Sequence, residues 1–495
     1  MVVLNRLVVA LLAGAALLCC SGKNAQEDIP DVFPDTPGTQ VHAPYKVETR
    51  KNSTSSSWTT YEALTLDCLE GFTPGKGEPA TDKYGGWKVG THGATGFFRV
   101  EKIGGRWWMI TPEGNLYLSK GVCSFSPGNS ARSQAELTTR YGSRGAWARI
   151  EAAKFKGYGF NSVGAWSRHD DIHALADADK IPYCVIVSPM SALNAAIKAS
   201  GTEAAGYAAA GWEGYPYDFA CVFHPDLDKY IEEKVSAIAK YASDPYCIGY
   251  FTDNEIPWKQ YALDRCLEKW PAGHVNHDKA QEWLDARKRH SGATLSEAND
   301  EDRKAFIAYC LEVYLRKVSA AVRKYAPNQL YLGCRFNQWN YELVNDKVFE
   351  VAGKYMDVIS LNHYQRWQPD EAYTASWEAW SGRPFLVTEY YVKGEDSGLP
   401  NATGAGWNVK TQRERGYFFQ NFTRVLVKSG NCVGWHWFKY MDNDPEDQTA
   451  DPSNRDSNKG IVKWNYDPWT PLVESMKAFN AEVYNLTQYY DNKKQ

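Results

Sequence analysis

Short runs of apolar, β-branched and aromatic residues recur along the chain from Tyr117 onward, and between them lie stretches whose apolar positions return at helical spacing. Eight such runs, at 117–125, 161–166, 182–189, 247–255, 330–336, 358–364, 384–391 and 432–440, predict strands. Helices are expected at 146–156, 227–241, 302–325, 371–380 and 411–428. In 302–325, Phe306, Tyr309, Cys310, Val313, Tyr314 and Val318 repeat on one face with charges between them. Strands alternating with helices in this way imply βαβ units and a parallel sheet. Eight units over 117–490 fit an α/β fold of the closed (β/α)₈ TIM barrel type. The competing doubly wound sheet usually carries a Gly-rich loop after its first strand. Here the first strand is followed by Ser126-Pro127-Gly128-Asn129, which is not that loop.

Ahead of the alternating region, 58–116 reads as a small N-terminal β element. Its strongest signal is Gly104-Gly105 between the strand-like runs 96–103 and 106–110, a hairpin pattern. Two insertions stand out, 191–223 after the third strand and 257–298 after the fourth, the latter with Trp258, Trp270 and Trp283. On the loop face of a barrel they would shape a groove; otherwise they pack a peripheral subdomain.

The first 20 residues read as a lipoprotein signal peptide. Arg6 precedes a 12-residue apolar run, Leu7 to Leu18, too short to span a bilayer. It ends at Cys19-Cys20, and Leu-Leu-Cys-Cys resembles a bacterial lipobox with Cys20 as the lipidated residue; a plain secretory signal is the alternative. The Pro-, Ser- and Asp-rich stretch 21–57 reads as a flexible tether. Its early acidic residues, Glu27, Asp28, Asp31 and Asp35, resemble the surface-export signal of Bacteroidetes lipoproteins. The expected location is therefore a lipid-anchored one, at the outer membrane, cell surface or periplasm of a Gram-negative bacterium.

Composition narrows the partners. A net charge of −4 with no basic run excludes nucleic acid as an expected partner. The 19 Trp and 31 Tyr suit either a large core or a carbohydrate-lined cleft, since both rings stack on sugars. Of the 11 cysteines, nine follow Cys20, mostly in apolar runs and without zinc spacing. Few or no disulfides, no structural metal and no cofactor are expected. Asp442, Asn443 and Asp444 loosely resemble a calcium loop without its full spacing.

The chemistry centres on two carboxylates. Ile-Gly-Tyr-Phe-Thr-Asp-Asn-Glu ends the fourth strand at Glu255, and Phe-Leu-Val-Thr-Glu-Tyr-Tyr carries Glu389 at the end of the seventh. Paired carboxyl groups at strand tips are what glycosidic bond cleavage needs: one donates a proton, the other attacks the anomeric carbon or activates water. Asp253 shares a strand face with Glu255 by period and, lying deeper, is expected to orient neighbours. Arg335, Asn337 and Trp166 end their strands and would either face the cleft or pack at its mouth. His92, His169 and His224 are read as structural.

Asp-Asn-Glu and Thr-Glu-Tyr on these strands resemble clan A glycoside hydrolases, which are retaining enzymes. The segments 97–115, 244–255, 396–407 and 433–440 are most similar to agarase-like proteins around glycoside hydrolase family 50. The resemblance implies Glu255 as acid/base, Glu389 as nucleophile, and Asn254 as a ligand of the sugar 2-hydroxyl. It also implies Tyr364, with His363 as rival, steadying the nucleophile, and Trp437, with Trp435 as rival, stacking under the sugar. The implied substrate is a polysaccharide or its oligosaccharides, with an agar- or porphyran-type galactan foremost. A β-galactosidase, β-glucanase or β-mannanase of the same clan, or a non-catalytic carbohydrate-binding lipoprotein, are the alternatives.

Overall fold

The computed structural model describes residues 41–90, 92–201, 207–210, 213–337 and 344–493. The signal segment 1–20, Cys20 and the tether up to residue 40 lie outside the described residues. No helix among the described residues is long and apolar enough to cross a membrane.

The centre is a parallel sheet of nine strands: β1 (Ser119–Val122), β2 (Ser162–Val163), β3 (Tyr183–Val187), β4 (Cys247–Thr252), β5 (Leu330–Gly333), β6 (Phe336–Asn337), β7 (Ile359–Asn362), β8 (Phe385–Glu389) and β9 (Cys432–Trp437). Their order is β5-β4-β3-β2-β1-β9-β8-β7-β6. Every residue of β4, β8 and β9 is buried, which is why these strands read as unbroken apolar runs rather than alternating ones. Helices cover the sheet. The long one, Asp300–Tyr325, starts in a capping box of Asn299 and Asp302, and Gln412–Ser429 starts in another, of Thr411 and Glu414.

The expected closed eight-stranded barrel is corrected by this topology. The run read as one fifth strand, 330–336, is two strands, β5 and β6, which stand at opposite edges of the sheet. The break has a local cause. Gly333 and Arg335 both have positive φ (+76° and +50°), so the chain leaves the extended conformation between them. A side chain at Gly333 would also meet the Met356 Cε at 1.7 Å. Arg335 at the break ties the two edges together: its carbonyl accepts from the Glu255 amide at 3.1 Å, and its own amide donates to Ser360 Oγ at 3.0 Å. The sheet therefore curls until the ends of β4 and β7 face each other.

The stretch 58–116 holds a three-stranded antiparallel sheet of Arg99–Ile103, Arg106–Ile110 and Leu116–Tyr117. The hairpin turns at Gly104-Gly105 (φ +59° and +81°) and joins Arg99–Ile103 to Arg106–Ile110. Arg106, however, makes a two-pronged pair with Asp491 near the end of the C-terminal helix Thr470–Lys493, at 2.8 and 2.7 Å. A second sheet runs Lys393–Gly394, Asn408–Val409, Tyr45–Arg50, Thr59–Ala63. Strand Tyr45–Arg50 falls in the stretch expected to be tether. It is ordered because it pairs with both Thr59–Ala63 and Asn408–Val409.

The insertion 257–298 packs peripherally. It forms helices Ala262–Lys269 and Val275–Lys288. Trp258 and Trp270 are buried, and Trp283 packs edge-on against Phe306 at 5.1 Å. The nine cysteines from Cys68 to Cys432 are all buried and behave as small core residues.

Candidate active site

The C-terminal ends of the central strands open into a cleft of about 760 Å³. Asn254 and Glu255 follow β4, Asn337 ends β6, Tyr364 follows β7, and Glu389 ends β8; all five line it. Its walls are Trp166, Tyr391 and Phe438, with the loops around 126–130 and 441–454.

Both carboxylates are nearly withdrawn from solvent, at 7% exposure for Glu255 and 6% for Glu389. The chain is bent to present them: Asp253 and Glu255 both have positive φ (+60° and +52°), so strand alternation ends at Thr252. Non-glycine residues in this region carry backbone strain and are common at functional sites.

Glu389 is held at both oxygens. Arg335 Nη2 donates to Oε1 at 2.5 Å and the Tyr364 hydroxyl donates to Oε2. The other guanidinium nitrogen of Arg335 donates to Asn254 Oδ1 at 2.6 Å. Charge-assisted bonds of this kind are short and hold the carboxylate in fixed geometry. Burial, and then the charge of Glu389, hold the Tyr364 phenol far above its usual range, so it remains a donor.

Glu255 has different partners. Asn362 Nδ2 donates to its Oε1 at 2.7 Å, and Asn337 also hydrogen-bonds it. Burial first, and the negative charge of Glu389 second, push its carboxyl up to about 7, against the pull of Asn362, Arg335 and Asn337. A carboxyl raised by burial beside a second one held by Arg335 and Tyr364 is an arrangement in which the first can keep its proton near neutral pH.

No family model matches the chain. Among curated proteins it is similar to beta-agarase B of Vibrio sp. (strain JT0107), 26% identical over 492 residues, covering 82% of this chain and 50% of that protein. The chain thus spans about half the length of that relative. Among solved structures it is similar to BpGH50, at 30% identity and a TM-score of 0.77, over 90% of this chain and 96% of that one. The chain belongs to glycoside hydrolase family 50. The agarase AgWH50C shares its fold at 24% identity and a TM-score of 0.66, over 84% of this chain and 67% of that one.

Against this family 50 fold, the residues singled out in the sequence separate clearly. Glu255, Glu389, Asn254, Asn337, Tyr364 and Trp166 come together in the cleft. Arg335 does not line it. It is fully buried beneath, with its guanidinium 5.7 Å from the Trp166 ring and 5.6 Å from that of Phe251, so its partners are protein groups rather than sugar. His363 also turns away from the cleft. It packs edge-on against Phe422 and Trp377 at 5.3 and 6.3 Å, and burial pushes its imidazole down to about 3.

Trp437 and Trp435 are a correction. Both are wholly buried, and neither borders the cleft. Trp437 packs on Phe418 and Phe419 of helix Gln412–Ser429, and its Nε1 donates to the Lys459 carbonyl at 2.8 Å. Strand alternation then turns His436 to the inside of the sheet, where its Nε2 lies 2.9 Å from Ser119 Oγ. The aromatic ring that this segment gives the cleft is Phe438.

Asp253 orients its neighbours: it accepts from the amides of Met190 and Ser191 at the start of helix Pro189–Ser200, both at 3.0 Å, and from the Tyr314 hydroxyl at 2.6 Å. The acidic residues after β9 are engaged in protein contacts. Asp444 forms a two-pronged pair with Arg132, and Asp442 accepts from the Lys459 and Gly460 amides at 2.9 and 2.7 Å. Sequence reasoning missed Asn362, Tyr391 and Phe438. For Asn362 the available signal was its place at a strand tip, immediately before His363-Tyr364.

Proposed function

We propose that this family 50 chain hydrolyses β-glycosidic bonds of an agarose-type galactan with retention, by double displacement. The observation that carries the reading is the unequal environment of the two cleft carboxyls: Glu255 raised to about 7, and Glu389 clamped by Arg335 and Tyr364. In this reading Glu389 attacks the anomeric carbon while Glu255 passes its proton to the departing glycosidic oxygen. A covalent glycosyl ester on Glu389 results. Glu255, now a carboxylate, takes a proton from water, and that water displaces Glu389 from the sugar. Asn254, oriented through its Oδ1 by Arg335, would bind the 2-hydroxyl, where contacts strengthen in the oxocarbenium-like transition state.

The galactan is supported by the similarity to beta-agarase B. Phe438, Trp166 and Tyr391 supply rings to the cleft for stacking. The test is sugar release from agarose, porphyran, a β-glucan and a β-mannan by the wild type, Glu255→Gln and Glu389→Gln. Release from agarose by the wild type alone is expected. Release from another polymer instead of agarose would replace the substrate, and equal release by all three proteins would remove the residue roles.

The anchor at Cys20 belongs to the same proposal and is supported by the Leu-Leu-Cys pattern. Incorporation of a labelled fatty acid, lost in Cys20→Ala, tests it.

A further inference from the structure

Asn362 is the last residue of β7, fully buried, and opposite Glu389 in the ladder. Its side-chain amide makes three contacts. Nδ2 donates to Glu255 Oε1 at 2.7 Å and to Asn254 Oδ1 at 3.2 Å, and Oδ1 accepts from Thr388 Oγ1 at 2.8 Å. The amide has one workable orientation. Turned over, it would set Oδ1 against the oxygens of both Glu255 and Asn254.

We propose that Asn362 is a positioning residue for the acid: it fixes the catalytic proton on Oε2 of Glu255 and ties that carboxyl to the sugar-binding Asn254. The inference rests on the reading of Glu255 as acid/base. In a neutral carboxyl, the oxygen that accepts an N–H is the carbonyl oxygen, and the hydrogen resides on the other. With Oε1 taken by Asn362 at 2.7 Å, the transferable proton is, in this proposal, on Oε2, with Asn337 as the carboxyl's other amide partner. Thr388 locks the amide from behind, so the choice of oxygen does not change when the carboxyl ionises.

The same donor favours the ionised form of Glu255, which the second half of the reaction needs as base. Burial and the charge of Glu389 oppose it, while Arg335 and Asn337 act in the same direction as Asn362. The contacts also form one path on the buried side of the cleft: Glu255, Asn362, Asn254, Arg335, Glu389. A sugar hydroxyl that moves Asn254 would therefore be felt at both carboxyls.

The test is a carboxyl-carbon NMR titration of the full chain labelled with ¹³C-glutamate, with the Glu255 signal assigned by its absence in Glu255→Gln. It is run on the wild type, Asn362→Ala and the nearly isosteric Thr388→Val, beside pH profiles of kcat and KM on agarose-derived oligosaccharides. In Asn362→Ala the Glu255 midpoint is expected to rise by roughly one unit, since a donor to the ionised form is lost. The basic limb of kcat should follow it, and kcat should fall about tenfold or more with KM changed much less. Thr388→Val should move the midpoint the same way by less, and carries the test should Asn362→Ala fail to fold. A midpoint unmoved in the folded variants would overturn the proposal. If instead the midpoint moves but Glu255→Gln keeps full activity, the acid/base reading fails while the contact between Asn362 and the carboxyl stands.

Discussion

Arg335 lies 2.5 Å from a carboxylate oxygen of Glu389, and the pair is shielded from water on all sides but the cleft. Arg335 reaches this position from the break between β5 and β6, where its φ is +50°. The fork geometry matters, because its second nitrogen orients Asn254 at 2.6 Å. A lysine ammonium is a point charge on a flexible stem and cannot serve both partners in fixed geometry. Arg335→Lys is expected to lower kcat by about 100-fold or more. Arg335→Met leaves Glu389 buried without its partner and is expected to cost about 3–5 kcal/mol of stability. Denaturant unfolding and steady-state kinetics read the two effects separately.

The Glu255 carboxyl ties activity and stability to pH with definite signs. In the proposed role of general acid it must be protonated, so kcat/KM should fall as pH rises through about 7. Its folded value lies above its ordinary value of 4.5, so between these values the folded state holds more proton than the unfolded one. The associated stability is fully present below 4.5 and lost as pH rises through about 7. Above that range Glu255 costs the fold about 3 kcal/mol, from the shift at 1.36 kcal/mol per unit. Glu255→Gln should therefore raise Tm at pH 8 and leave it nearly unchanged at pH 4. Thermal unfolding at the two pH values checks this, and equal effects at both would contradict the raised carboxyl.

Tyr364 and His363 are adjacent but turn in opposite directions. Tyr364→Phe removes the donor to Glu389 Oε2 and should lower kcat roughly tenfold or more with little loss of stability. His363→Ala empties space beside Phe422 and Trp377; it should cost about 2 kcal/mol and leave kcat nearly intact.

A similar pair stands at the end of β9. Phe438→Ala removes a ring from the cleft wall and should raise KM for agarose oligosaccharides about tenfold. Trp437→Phe disturbs packing on Phe418 and Phe419 and should appear as a loss of about 1–3 kcal/mol in unfolding experiments, with KM unchanged.

The parts of this molecule legible in its sequence are those set by local pattern. β4 and β8 are buried on both faces, so their apolar runs, and the glutamates that close them, stand out. The break at 334–335 is hidden because Leu-Tyr-Leu-Gly-Cys-Arg-Phe reads as one strand, whereas the bend comes from the positive φ of Gly333 and Arg335, with Met356 packed against Gly333. Trp435 and Trp437 share a face by period, yet period alone does not say whether that face meets the cleft or a helix. The decision comes from Gln412–Ser429 packing behind β9. Asn362 was illegible for a different reason: its role depends on Glu255, Asn254 and Thr388, residues that only the curl of the sheet brings to it.

The central claim is that Glu389 forms a bond to the sugar that water, activated by Glu255, then breaks. Two displacements at one carbon restore its configuration. Proton NMR of an agarose-oligosaccharide digest, recorded before mutarotation, reads the anomer of the newly formed reducing end. The β-anomer is the expected first product; the α-anomer would mean a single displacement by water and would contradict the assignment of Glu389 as nucleophile.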